Sequence, residues 1–313
     1  MSVTTIDCEY LDQPGFAAAY LIHEGDRAAF VETNTNRAVP RLLEALAATG
    51  VPRERVELIV ITHVHLDHAG GASALMDACP NATLLAHPRA AKHVVDPTKL
   101  IRSAEAVYGE AAFHELYGEI RPVPEARVRA MADGEAIGFG ERTLTFLHTR
   151  GHADHHACVL DSGSSGVFTG DSFGLVYPAL QENGLFAIPS TSPTDFDAPA
   201  ARASLTRIVE SGAERAFLTH FGEQRDLRGI AAQLDEQLEA YGAIAEEAFA
   251  SGLEGEALER FCAARVSAIF ERILEARAPS GDARAILKLD ADLNAQGVAF
   301  AVSKRRYKAA RAG

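Results

Sequence analysis

The stretch Thr62-His63-Val64-His65-Leu66-Asp67-His68-Ala69-Gly70-Gly71 follows directly on the apolar run Leu58-Ile59-Val60-Ile61. That run is short and rich in β-branched residues, so it reads as a buried strand. His63, His65 and Asp67 are spaced i, i+2, i+4. On a helix the first two would point apart; on an extended segment all three share a face. Their side chains therefore project from a strand end and the loop after it, unlike the two histidines of a helical HExxH zinc site. A single loop histidine is an ordinary surface residue. Three imidazoles and a carboxylate within six residues of a buried strand form a donor set for zinc, iron or manganese. Gly70 and Gly71 are expected to let the backbone turn sharply into the next helix.

Around this stretch the chain alternates strands and helices. Phe16 to His23 and Ala28 to Glu32 read as a hairpin across Glu24-Gly25-Asp26-Arg27. Asn34-Thr35-Asn36 offers cap chemistry for a helix carrying Val39, Leu42, Leu43 and Leu46, ended by Gly50 and Pro52. Ala72 to Ala78 is a short helix and Ala82 to Ala86 a short strand. Residues 88–122 break the rhythm as a largely helical insertion closed by Arg121-Pro122-Val123-Pro124. Strand patterns return from Val128, with a turn at Asp133-Gly134-Glu135, strands over Thr143 to Leu147, Ala157 to Leu160 and Val167 to Thr169, a helix over Ala198 to Val209 and a strand over Ala216 to Thr219. Three helical stretches follow, Leu227 to Ala250, Glu254 to Arg277 and Asp282 to Val302, broken at Ser251-Gly252 and Pro279-Ser280-Gly281. No repeat of fixed period is present. The expected division is a catalytic domain over 1–225 and a C-terminal helical cap over 226–313.

Three further candidate ligands stand just past strands: His152 after Thr143 to Leu147, Asp171 after Val167 to Gly170, and His220 after Ala216 to Thr219. Strand ends on one sheet rim can aim side chains at a common point. Together with His63-Val64-His65-Leu66-Asp67-His68, the HxHxDH pattern, these residues resemble the metallo-β-lactamase-fold hydrolases over roughly Phe16 to Gly222. The resemblance implies an α/β (α+β) fold, an αββα sandwich of two facing mixed sheets, here with a C-terminal helical extension. It also implies two divalent metal ions, zinc or iron with manganese compatible. His63, His65 and His152 would hold one ion, Asp67, His68 and His220 the other, and Asp171 would bridge them.

By the same resemblance the chain is a hydrolase in which a metal-bridging hydroxide attacks a small-molecule ester or thioester carbonyl. Asp67 and Asp171 are the catalytic candidates, Asp67 by orienting the nucleophile or passing a proton. Two divalent ions with two carboxylates and one hydroxide keep about one net positive charge, which suits an oxygen that becomes negative in the transition state. Asp154, His155 and His156 are candidates for orienting a metal-bound imidazole. His87 lies outside the ligand pattern.

Val128 to Glu135, Gly151-His152-Ala153-Asp154-His155-His156 and the helical C-terminus resemble in layout the quinolone-signal response thioesterases and related hydrolases, which makes iron as reasonable as zinc. Acyl-homoserine lactonases place a Tyr just after the bridging Asp, whereas Ser172-Phe173-Gly174 follows Asp171 here. Three alternatives remain open. They are an acyl-lactone hydrolase, a mononuclear iron persulfide dioxygenase using His63, His152 and Asp171, and a non-catalytic ligand sensor. Phe173, Tyr177, Leu180, Leu185 and Phe186 suit either an acyl pocket or the core.

Charge and cysteine usage narrow the partners. The net charge of −13 disfavours nucleic acid, whose phosphates call for clustered Lys and Arg. The basic tail Lys304-Arg305-Arg306-Tyr307-Lys308 reads as a helix end suited to the helix dipole. No apolar run is long enough for a bilayer, and the first dozen residues lack the apolar segment of a secretory signal. Cys8, Cys79, Cys158 and Cys262 show no CxxC spacing and read as reduced packing thiols. The expectation is a cytoplasmic protein with a small-molecule substrate, no membrane or nucleic-acid partner, and a homodimer paired through apolar faces of the terminal helices.

Overall fold

The computed structural model describes residues 2–191, 194–277 and 283–312. Their contacts define two units: residues 1–148, 155–170 and 212–225, and residues 149–154, 171–211 and 226–313. Residues 149–154 and 171–211, expected with the first 225, thus cluster with the C-terminal helices.

The first unit is built on two sheets. β1 (Ser2–Asp7), β2 (Ala18–Glu24), β3 (Arg27–Val31), β4 (Val56–Val60), β5 (Thr83–Ala86) and β6 (Val128–Ala130) lie side by side in that order. β1 to β3 pair antiparallel and β3 to β6 parallel. Parallel strands need covered faces, and the burial shows both faces covered. Tyr20, Ile22, Val31, Val60 and Leu85 join one apolar cluster. Their neighbours Leu21, Phe30, Ile59 and Leu84 join another with Leu42 and Leu46 of α1 (Val39–Ala48), Leu75 and Met76, and Ala90 and Val94. The remaining helices of this half are α2 (Leu66–Ala69), α3 (Ala72–Ala78), α4 (Pro88–Val95), α5 (Thr98–Tyr108) and α6 (Glu110–Tyr117). The last three form the helical insertion.

The second sheet runs in the order β12 (Gly222–Gln224), β11 (Arg215–Leu218), β10 (Gly166–Gly170), β9 (Ala157–Asp161), β8 (Arg142–His148), β7 (Ala136–Phe139). Only β10 and β11 pair parallel. Its inward residues Phe139, Leu144, Phe146, Val159, Phe168 and Phe217 share the cluster of Tyr20 and Ile22, so the two sheets pack face to face. Tyr20 sits at the centre, its ring 5.3 Å from Phe168 and 5.4 Å from Phe217, and its hydroxyl donates to the Leu218 carbonyl. At the sheet margin, buried Arg142 donates to Glu24 and Asp161, each at 2.8 Å.

The second unit carries α7 (Ala198–Val209), α8 (Leu227–Ser251), α9 (Gly255–Arg277) and α10 (Ala283–Ala312). α10 runs ten residues past the expected end, and the basic tail lies on it. Its cations have internal partners. Lys304 pairs with Asp195 at 3.2 Å and Arg305 with Glu246 at 2.6 Å, while Arg306 donates to the Ala248 and Phe249 carbonyls in the last turn of α8. The tail thus caps a neighbouring helix end. The expected break at 279–281 and helix start at 282 lie outside the described residues.

Two further expectations need correction. The segment Asn34-Thr35-Asn36 does not cap α1, whose N-cap position is Ala38. Asn34 Nδ2 donates instead to the Asp67 carbonyl, and Asn36 Nδ2 to the Tyr117 and Glu119 carbonyls. β1 and β12 were not expected, being edge strands with few buried residues. All four cysteines are buried, and none forms a disulfide among the described residues. Burial pushes the Cys8 thiol up to about 12 and the Cys79 and Cys262 thiols up to about 11, so they are packing residues. Among the described residues no helix is long and apolar enough to cross a membrane.

Candidate metal centre

In the first unit the chain bends at Thr62 just past β4, runs through His63 to an extended His65, then makes the single helical turn α2, which carries Asp67 and His68. One turn is too short to be stable by itself. The end of β3 holds it: Thr33 N and Oγ1 both donate to the His68 carbonyl at 2.9 Å, and Asn34 Nδ2 donates to the Asp67 carbonyl at 2.8 Å. Gly70 and Gly71 follow with φ of −60° and −85°, so no unusual turn requires glycine, contrary to expectation. The requirement at 71 is close approach, since a Cβ there would lie 2.8 Å from both the Thr33 and Thr35 carbonyl oxygens.

The imidazoles are oriented through their Nδ1 atoms. His220, just past β11, has Nδ1 2.7 Å from the Phe16 carbonyl oxygen. A carbonyl only accepts, so Nδ1 carries the proton and Nε2 presents its lone pair. His68 Nδ1 lies 3.0 Å from Glu32 Oε1, which fixes the same tautomer. The two Nε2 atoms point to the carboxylate between them: Asp67 Oδ2 is 3.4 Å from His220 Nε2 and 3.6 Å from His68 Nε2. One donor atom each from Asp67, His68 and His220 lie within 4.8 Å of one another, as do those of Glu32, His63 and His68. His63 has Nδ1 3.1 Å from Thr62 Oγ1 and Nε2 2.9 Å from Nδ1 of His65. Five of the seven expected ligands therefore meet in the first unit.

The other two meet in the second unit. His152 Nε2 lies 3.5 Å from Asp171 Oδ2. His152 Nδ1 donates to the Ser190 carbonyl at 3.1 Å, and Ser190 Oγ donates to Asp171 Oδ2 at 3.0 Å. Both residues line a small cavity of about 10 Å³ with Ser172, Pro189, Leu205 and Leu238. Phe173, Tyr177, Leu180 and Phe186 are all buried, so they serve the core.

Glu32 is the functional residue that sequence reading passed over. It is 1% exposed, accepts from His68 Nδ1, from the Thr62 amide and hydroxyl and from the Thr219 hydroxyl, and so touches the neighbours of His63 and His220 as well. Its φ of 67° is left-handed, a strained conformation for a residue with a side chain. The signal available was an acid closing the apolar run Ala28-Ala29-Phe30-Val31. Of the histidines considered for orienting roles, His156 is fully buried with its ring 4.8 Å from that of His63, and His155 stacks on His63 at 6.0 Å. Asp154 accepts from Arg150 at 2.8 and 2.6 Å. His87 is a helix cap, its Nδ1 accepting from the Arg89 amide at 3.0 Å.

Imidazoles and carboxylates clustered with their donor atoms within 4.8 Å are the donor chemistry of a divalent cation, and they imply divalent metal binding here. Comparison with known proteins agrees. The profile described as the metallo-beta-lactamase superfamily matches residues 12–220. The metallo-beta-lactamase fold-containing protein ST1585 of Sulfurisphaera tokodaii is 30% identical over 173 residues, 54% of this chain and 62% of that protein. The chain thus spans less than two thirds of that relative's length. Its crystal structure aligns with a TM-score of 0.61 over 76% of this chain and 86% of that one at 24% identity. The acyl-coenzyme A thioesterase MBLAC2 of Gallus gallus is 26% identical over 215 residues, 66% of this chain and 72% of the relative. TTHA1429 of Thermus thermophilus, a metallo-beta-lactamase family protein, aligns with a TM-score of 0.63 at 20% identity, over 98% of this chain and 93% of that one. Sheet order, donor set and the match across two thirds of the sequence converge: this chain belongs to the metallo-beta-lactamase superfamily.

Proposed function

We propose that the protein is a dinuclear metal-dependent hydrolase of a small-molecule thioester or ester. His63, His65 and His152 would hold one ion, Asp67, His68 and His220 the other, with Asp171 common to both. The observation that carries this reading is the convergence of the Nε2 atoms of His68 and His220 on Asp67 Oδ2, each imidazole locked by an acceptor on its far nitrogen. The similarity to an acyl-coenzyme A thioesterase favours a thioester over other acyl bonds.

Bound divalent ions would supply Lewis acidity, enough to bring the pKa of water to about 7 and to offset charge on a carbonyl oxygen. The chain's own part is orientation and proton handling. His68 and His220 are aimed by Glu32 and Phe16, which accept at their Nδ1 atoms and leave Nε2 facing Asp67. Asp67 is the more exposed carboxylate of the pair, its side chain 25% accessible, so it can orient a water and pass its proton outward. Asp171 is buried and takes a hydrogen bond from Ser190, which holds it in place.

Elemental analysis of protein made without added metal, followed by thioester, ester and lactone panels on the same sample, tests the proposal. Two ions per chain and thioester turnover are expected. One iron per chain with oxygen consumption on a persulfide would replace it with the dioxygenase reading. Preferential lactone cleavage would replace the thioester with a lactone. Tight ligand binding without turnover on any panel would make the protein a sensor.

A further inference from the structure

Ser190 touches both metal-ligand candidates of the second unit: its carbonyl takes the Nδ1 proton of His152, and its hydroxyl donates to Asp171. The residues on either side of Ser190 are tied to α10. Asn294 Nδ2 donates to the Pro189 carbonyl at 3.0 Å and to the Asp290 carbonyl, one turn back on its own helix, at 2.7 Å. Thr191 Oγ1 lies 3.2 Å from the Leu293 carbonyl oxygen and 3.3 Å from that of Asn294. Asn294 is 1% exposed and Thr191 3%. A buried amide costs free energy unless its hydrogen bonds are made, and a leucine of similar size would pack a helix face without that cost. The polar groups retained here reach the short loop that holds a ring nitrogen and a carboxylate at once.

We propose that Asn294 is a positioning residue for the metal centre. By holding the Pro189 carbonyl it sets Ser190, and through Ser190 it sets the ring of His152 and the carboxylate of Asp171. Thr191 is the second tether of the same loop. The terminal helix then contributes to metal affinity although none of its residues is a ligand. The inference rests on the reading of His152 and Asp171 as ligands. Partners that orient a metal-bound group are worth about 10–100-fold in affinity, and this one, acting one residue further out, is expected near the lower end.

The test is titration of the metal-free protein with zinc against a chromophoric chelator, and with cobalt(II) followed by its visible absorption. Melting of the metal-free proteins is recorded alongside. Asn294→Leu keeps the volume and removes the donor; Thr191→Val does the same for the second tether. Asn294→Leu is expected to weaken zinc binding about tenfold and to alter the cobalt spectrum, with Thr191→Val shifting both in the same direction. A purely structural role would instead lower the melting temperature of the metal-free protein and leave affinity and spectrum as in the wild type, and that result overturns the proposal. If Asn294→Leu does not fold, Thr191→Val decides by the same criteria. His152→Ala separates the two levels. If it too binds zinc like the wild type, the ligand reading falls and the inference with it; if it loses affinity while the tether variants do not, the inference alone falls.

Discussion

Glu32 Oε1 lies 3.0 Å from His68 Nδ1, and both side chains are almost completely buried. The same carboxylate accepts from Thr62 and Thr219, so one acid at the end of β3 serves four donors on three residues around the candidate centre. Glu32→Ala is expected to lower metal affinity about 10–100-fold through loss of the His68 tautomer and aim. It should also destabilise the metal-free protein by about 1–3 kcal/mol, because buried donors lose their acceptor. Chelator competition and thermal melts measure the two effects, and unchanged affinity would count against the orienting role.

Asp171→Ala is expected to lower metal content and turnover together, since the proposed function has this carboxylate shared by two ions. Chelation of the wild type should lower its melting temperature, and added zinc should restore it. Free metal at a hundred times its dissociation constant contributes about 2.7 kcal/mol to the folded state. Full occupancy with undiminished activity in the Asp171 variant would remove its assigned role.

Gly71→Ala tests close approach. The added methyl would meet two backbone carbonyl oxygens at 2.8 Å, neither on a flexible side chain. A loss of about 1–3 kcal/mol in stability is expected, with weaker metal binding because the Thr33 segment also anchors His68. A variant with wild-type melting and affinity would show that the two segments separate freely.

Acid stability reports the Arg142 cluster, away from the candidate centre. The Arg142 guanidinium, then the Glu141 amide, hold the Glu24 carboxyl below its ordinary value of 4.5. A lowered carboxylate pKa stabilises the fold above the unfolded value and loses that contribution as pH falls through the folded value. The melting difference between wild type and Glu24→Gln should therefore be constant above about pH 5 and shrink as the pH is taken below about 4. Arg142→Ala is expected to cost about 3–5 kcal/mol at neutral pH, because Asp161 would remain buried without its cation. A Glu24→Gln difference that does not change with pH would contradict the first expectation.

Much of this fold was legible because burial leaves a period in the sequence. Ala72–Ala78 and Ala198–Val209 have the expected bounds, and the interior strands differ from theirs by a residue or two. β1 and β12 were missed because edge strands bury too little to show a pattern. The HxHxDH residues stood out because they are consecutive. Glu32 and Ser190 did not, since a residue that orients a ligand is identified by the atom it touches, which spacing does not encode. Asn34 was misread for the same reason: its side chain could cap a helix or hold a distant loop, and only the position of the Asp67 carbonyl decides.

Thr33 and Asn34 bind the backbone of His68 and Asp67, and neither side chain is in the donor set. The aim of two donor candidates is thus adjusted from the segment that follows β3. Exchanges at 33 and 34 therefore shift where Asp67 and His68 point while both side chains stay the same.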